Sequence, residues 1–521
     1  MVGVVILPEE MIGRLKKNIL PEWRACFWSV IIVGLVAHFY KITNWLPNWD
    51  SLVFKYDPQN MIGIGRWFLP IACAPSSFYD LPWLAGLIAI ILHAFGAVCV
   101  CRIFDVRKKI TAALIGALIV SFPAFTSVLM YNYVADGYAL AFLFSCLAAM
   151  LLTADKPRYI GAAVLIALSA GIYQAYVTVT IMLLLCYLIR ESLYGETTVR
   201  TLILKSVKFL ITGVVGIVLY YLVLTLLLKI TGAELLDYQG ANSAATLSGL
   251  NIFATLYTIK NSFFTYFFDF SEGFNTFGTI NIVILALTVI LYLTDIIKRK
   301  LNIGKILLVV FYTAMLPVGA SILAFINSNV DYHNLMKMGF FVFYLVLLLQ
   351  YERTDFKNQK ANVIKLWTIL LLCVLLIFNH IVIANVSYHK LNMAYEKSFG
   401  TLIRIADRIE QTEGSAECDD ILVIGYLPDS EAYSATLPPD MTGTTDGFII
   451  RADDEVVGQS VLCSALNDYC GKNYKFLSGE EKTELLDRID TDNVNSWPAK
   501  DSVFVFDGVI VIKLGDQEIV K

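Results

Sequence analysis

The chain is built around nine apolar runs and one longer block, each run close to the roughly 20 residues needed to cross a bilayer's hydrocarbon slab. The runs are 26–43, 83–104, 111–130, 135–153, 208–230, 279–297, 305–326, 336–350 and 364–386. The block 159–190 is too long for one crossing and has Lys156 and Arg158 before it and Arg190 at its end. With both flanks on one side, it reads as a tight hairpin turning near Gly171 to Gln174, which brings the expectation to about eleven spans. With 57% hydrophobic and only 16% charged residues, the composition excludes an ordinary soluble globule.

Charge placement gives an orientation. Residues 1–386 carry 28 Lys+Arg against 19 Asp+Glu, whereas 387–521 carry 12 against 25. With the N-terminus inside, 22 of those 28 basic residues fall in cytoplasmic segments and 6 in outer ones, the bias that the positive-inside rule requires. Three regions are expected: a cytoplasmic amphipathic lead-in over 1–25, a transmembrane core over 26–386, and an extracytoplasmic α/β domain over 387–521. The basic segment Arg14, Lys16, Lys17 and Arg24 precedes a run long enough to remain as a span, so no cleaved signal peptide is expected.

The tail carries mixed signals of a small α/β domain. Residues 394–411 have helical spacing, 421–426 read as a buried strand and turn, and 480–489 as a helix with Ser478 as N-cap. Val503–Phe506 and Val509–Leu514 flank Asp507-Gly508, a strong hairpin signal. No phosphate loop, zinc spacing or nucleophile elbow is found in the tail. Of ten cysteines, seven lie in or beside the apolar spans, and a Cys463 to Cys470 disulfide is allowed but not required.

Polar groups collect on the outer side. The first outer loop holds Asp50, Asp57, Arg66 and Asp80, and the second Tyr131, Asn132 and Asp136. Tyr173 and Gln174 stand at the hairpin tip, and Asp331, His333 and Asn334 in a later loop. Ionisable groups at span ends tend to face a cavity. Asp50 follows Trp45 and Trp49 of an aromatic belt, at the depth of a lipid phosphate and its sugar, where a carboxylate can serve as general base. The bland alternative is a helix cap. Asp57, before Pro58, fits a turn better than metal binding, though it has the chemistry to assist a base or hold a divalent cation. Arg66 is a planar fork suited to a phosphodiester, against simple headgroup anchoring. Tyr173 and Gln174 suit sugar hydroxyls or their own buried backbone. His333 titrates near neutrality but more commonly such a residue is solvated.

Taken in order, Asn48-Trp49-Asp50, Gly65-Arg66-Trp67-Phe68, Tyr173 to Ala175, Trp497-Pro498 and Asp507-Gly508 through Leu514 resemble the bacterial Gtr-type glucosyltransferase II family. The likeness runs over nearly the whole chain. It implies a GT-C-like polytopic membrane enzyme of the bacterial inner membrane that uses a polyprenyl-phosphate sugar as donor. The acceptor implied is a surface polysaccharide or lipid-linked glycan on the outer leaflet, with inversion at the sugar. By similarity Asp50 is the base, and either Asp57 or Asp136 is left as the source of a second, assisting carboxylate. Arg66 contacts the donor phosphate, and Trp49, Asp136, Tyr173, Gln174 and His333 line the substrate cavity. The first loop has a single Asp at the Asp50 position instead of an adjacent acidic pair, so a divalent cation remains an open element of the scheme. The partners expected are the donor, the acceptor and the lipid bilayer, and no nucleic acid. The rivals are a flippase of lipid-linked sugars, which lacks the expected internal repeats here, and a polysaccharide polymerase or ligase, for which the outer loops are poor in Lys and Arg.

Overall fold

A computed structural model describes residues 13, 19–76, 79–236, 251–268, 276–328, 330, 332–354, 360–425, 427 and 455–515. Asp331, Tyr426 and nearly all of the 1–18 stretch lie outside the described residues.

Helices α1 (Pro21–Thr43), α2 (Trp49–Val53), α3 (Leu69–Cys73) and α4 (Pro82–Ile103) open the chain. Helices α5 (Lys109–Ser121), α6 (Pro123–Met130), α7 (Ala135–Thr153), α8 (Tyr159–Ile172), α9 (Val177–Tyr194) and α10 (Val199–Thr231) follow. Then come α11 (Ile252–Phe268), α12 (Thr276–Arg299), α13 (Ile303–Ala320), α14 (Phe341–Arg353) and α15 (Lys360–Gln411). Among the described residues eight helices are long and apolar enough to cross a membrane, or nine if α5 and α6, bent by 41° at Phe122-Pro123, count as one span. Proline at the first position of α6 supplies the bend, because its ring excludes a continuous ladder. The chain is a polytopic helical membrane protein.

Two expected spans differ. Helix α8 has 14 residues and α14 has 13, both short of a full crossing. The 159–190 block does break where expected, at Tyr173, whose extended backbone separates α8 from a short 3-10 turn Gln174–Tyr176. Helix α8 stops early because the first loop occupies the space beyond it. Leu69 and Cys73 of α3 are fully buried in the main helical core, and the Phe68 backbone N–H donates to Gly171 O at 2.8 Å. Trp67 lies where any side chain on Gly171 would stand, so glycine allows this approach.

The most extended element is α15, 52 residues long, or ~78 Å at 1.5 Å per residue. It passes without a break through residue 386, where a domain boundary was expected. Its far end supplies Leu402, Ile405 and Ile409 to a second core, shared with β1 (Asp420–Ile424), α16 (Glu455–Cys470) and β4 (Val509–Lys513). The sheet has the order β2-β1-β4-β3, where β2 is Lys475–Phe476 and β3 is Val503–Phe506. Strand β1 runs parallel to both neighbours, and β3 and β4 form the antiparallel hairpin, turning at Asp507 (φ 50°) and Gly508 (φ 79°). Helix α17 (Gly479–Leu486) packs Leu485 on the other sheet face beside Leu422 and Val511. All ten cysteines are free. Cys463 and Cys470 sit two turns apart on α16, about 10 Å along the axis, which is beyond disulfide reach.

This C-terminal unit grips the first loop. Leu52 of α2 is buried inside the C-terminal core, Trp45 donates its indole N–H to Tyr469 at 3.0 Å, and Lys55 pairs with Asp468 at 3.2 Å. The apolar contact dominates, because the ion pair is partly exposed and so worth little. Leu52→Ala should lower stability by about 2–4 kcal/mol, whereas Lys55→Ala should cost under about 1 kcal/mol. Thermal unfolding in detergent checks the contrast, and equal effects would refute it.

Candidate functional site

Arg66 sits on a tight turn that the sequence builds from a left-handed glycine. Gly65 has φ 80°, and a β-carbon there would collide with the Tyr220 hydroxyl and the Gln174 amide. The turn is closed by Arg66 N–H to Met61 O at 3.0 Å and Gly65 N–H to Ile62 O at 2.9 Å. Its outward carbonyls are met by side chains from two helices. Gln174 Nε2 donates to Ile64 O at 3.1 Å and to the Tyr220 hydroxyl at 3.0 Å, and that hydroxyl donates to Gly65 O at 3.1 Å. Irregular backbone at membrane depth is tolerated only when it is satisfied in this way.

The guanidinium is held by aromatic rings. Arg66 donates to the Tyr138 hydroxyl at 2.9 Å and lies 4.6 Å from the centre of the Tyr173 ring. Tyr138 and Tyr173 stack on each other at 4.7 Å, which fixes both partners. The cation–π contact and the Tyr138 hydroxyl fix the direction of the guanidinium fork. Arg66, Tyr173, Gln174, Tyr220 and Asn327 line a cavity of about 110 Å³ whose remaining wall is largely apolar. Gln174 Oε1 takes no hydrogen bond from the described residues, which leaves an acceptor for a hydroxyl donor.

Asp50 stands on α2 and is not among the residues that line that cavity. Asn48 caps α2 by accepting from Ser51 N–H at 3.0 Å, so Asp50 is not the cap. Phe54, at the end of that helix, stacks on Tyr133 at 5.3 Å. The buried Tyr133 ring feels the charges of both Asp50 and Arg66. Trp49 opens α2, its side chain lying outside the described residues.

The other candidates are placed differently. Asp57 Oδ1 accepts from Gln59 N–H at 2.6 Å, a turn contact. Asp136 is buried and accepts from Ser76 Oγ, fastening the loop after α3 to α7. His333 precedes the turn Asn334–Met336, and its carbonyl accepts from Met336 N–H at 3.0 Å; Met336 lines the cavity, His333 does not. Among the described residues no group of three or more His, Cys, Asp or Glu side chains is placed to hold a metal ion. Sequence reasoning missed Tyr133, Tyr138 and Tyr220. The available signal was a tyrosine inside an apolar run, whose buried hydroxyl needs a partner.

Residues 39–349 match the family model described as glucosyl transferase GtrII. The chain belongs to that family. It is therefore a membrane glycosyltransferase, and the match takes in α2, the Arg66 turn, the Tyr173 break and the whole cavity wall. No curated protein and no solved structure matches this GtrII-family chain.

Asp80 carries a pH dependence. It is buried in the loop before α4, with Oδ1 accepting from Asn132 Nδ2 at 2.7 Å and Oδ2 unpartnered among the described residues. Burial pushes its carboxyl up from 3.8 to about 6, against the opposing pull of Asn132, Lys41 and Lys55. A raised carboxyl favours the fold when protonated, so its contribution is full below about pH 4 and is lost as pH rises through 6. Asp80 has a left-handed backbone (φ 49°), which Asn also adopts, so Asp80→Asn should flatten the fall in melting temperature between pH 4 and 6; an unchanged pH profile would refute this. Gly65→Ala should cost at least about 1–2 kcal/mol from backbone strain alone and lower transferase activity further, and wild-type thermal stability and activity would contradict the account of the turn.

Proposed function

We propose that this chain transfers a glucosyl or similar hexosyl group from a polyprenyl-phosphate donor to a surface polysaccharide or other lipid-linked glycan. The observation that carries the reading is the Arg66 guanidinium, held on Tyr173 and Tyr138 in the wall of a cavity that the first loop closes. An arginine fixed by ring faces suits a phosphate, because the fork remains charged and oriented.

In the proposed step an acceptor hydroxyl oxygen attacks the anomeric carbon as the carbon–oxygen bond to the donor phosphate breaks. The bonding pair leaves with the phosphate oxygen, whose charge Arg66 offsets, and the hydroxyl proton passes to Asp50. A single displacement inverts the sugar. Gln174 Oε1 and the tyrosine hydroxyls are suited to orienting sugar hydroxyls. Asp57 and Asp136 support the loop. The basic bias of the opposite loops supports an N-terminus in the bacterial cytoplasm, with the reacting face and the C-terminal unit outside.

Purified protein in lipid, given radiolabelled undecaprenyl-phosphate glucose and a crude surface-glycan acceptor, should release sugar from the lipid. Asp50→Asn should slow release by about 10²–10⁴-fold with folding intact; full activity in that variant would refute the base. Arg66→Ala should chiefly raise the donor KM, and an unchanged donor dependence would reduce Arg66 to a headgroup anchor.

A further inference from the structure

Helix α9 has 18 residues, about 27 Å, so its C-terminal end lies on the membrane face opposite Arg66. There Arg299 and Arg353 converge on Tyr194, with Arg190 beside Arg353 and Lys365 linked to Tyr194 through Gln350. The Arg299 and Arg353 guanidiniums each lie 4.4 Å from the centre of its ring. Among the described residues the carboxylates acting on Arg353 and Lys365 are Glu191, 3.8 Å from the Arg190 guanidinium, and Asp295. Asp295 is already engaged, accepting from the Tyr194 hydroxyl at 2.5 Å and from Gln350 Nε2 at 2.8 Å, with Lys365 donating to Gln350 Oε1 at 3.1 Å. Arg190 keeps a buried Nε–H with no partner among the described residues. Cationic charge in excess, with an unsatisfied guanidinium donor, calls for an anion.

Directly against this cluster is an apolar cavity of about 500 Å³ between α9, α12, α13 and α14. Ile189 and Ile296 line it, next to Arg190 and one turn before Arg299. Val289, Leu293 and Val310 also line it and are each at least half exposed, so it opens sideways toward lipid. A dry, laterally open slot ending at guanidiniums has the two-part chemistry of an anionic lipid.

We propose that this is a binding site for an anionic bilayer phospholipid, its acyl chain in the slot and its phosphate on Arg190, Arg299 and Arg353. A phospholipid is favoured over the polyprenyl-phosphate donor because the headgroup position lies in the leaflet opposite the Arg66 turn. The site does not depend on the proposed sugar-transfer chemistry.

The test uses full-length protein in detergent with phosphatidylglycerol, phosphatidylcholine, undecaprenyl phosphate or inorganic phosphate added. Phosphatidylglycerol should raise the melting temperature by about 2 °C or more over phosphatidylcholine. The double variant R299Q/R353Q should lose that difference. Ala314→Trp, which blocks the slot where Ala314 lines it and leaves every charge in place, should lose it too and decides the question if the double variant fails to fold. Equal shifts with both phospholipids, or a phosphatidylglycerol-specific shift that survives Ala314→Trp, would overturn the proposal. So would a shift reproduced by inorganic phosphate alone, or one given by undecaprenyl phosphate and not phosphatidylglycerol.

Discussion

The site depends on the satisfaction of two backbone carbonyls. Ile64 O and Gly65 O belong to a turn that departs from helix beside a buried core, where an unmet carbonyl would cost a few kcal/mol. Gln174 and Tyr220 meet them from two different helices. The same two side chains bond to each other, so the turn, the break at Tyr173 and the tall helix α10 are locked as one piece. Arg66 inherits its position from that lock, and the stacked pair Tyr138 and Tyr173 fixes its direction. Preorganised charge of this kind is what the proposed transfer from a phosphate would use.

A second constraint comes from outside the helical core. Helix α15 extends well beyond the thickness of a bilayer and carries the C-terminal unit on its end. That unit takes Leu52 into its own core and holds Trp45 through Tyr469. Asp50 therefore stands on a short helix clamped between Tyr133 of the membrane part and a separate α/β core. The C-terminal unit shows no nucleophile elbow or phosphate loop in its sequence, and its observed contacts are with the loop that carries Asp50.

Much of this was legible in the sequence, and the failures have physical causes. Apolar run length located the long spans, because a bilayer fixes that length, and the break at Gly171 to Gln174 followed from charge flanks alone. The short motifs around Asp50 and Arg66 pointed to the family that the chain belongs to. Run length overstated α8 and α14, whose apolar residues pack against neighbouring protein elements within the core. Composition placed a boundary at residue 386 where helix propensity continues, so α15 runs on. Polarity alone marked Asp136 for the cavity, yet its oxygen is spent on Ser76. Tyr138 and Tyr220 hid within apolar helices, since their partners are distant in sequence and no local pattern records them.

The Arg66 turn and the Tyr173 break are the proposed seat of the donor phosphate. A photoactivatable polyprenyl-phosphate sugar, cross-linked to the protein in lipid and mapped by peptide mass spectrometry, tests it most directly. The account predicts labelling of peptides that contain Arg66, Tyr173 and Tyr220, with competition by the unmodified donor. Labelling confined to the opposite membrane end around Arg190 and Tyr194, or labelling indifferent to competitor, would contradict it.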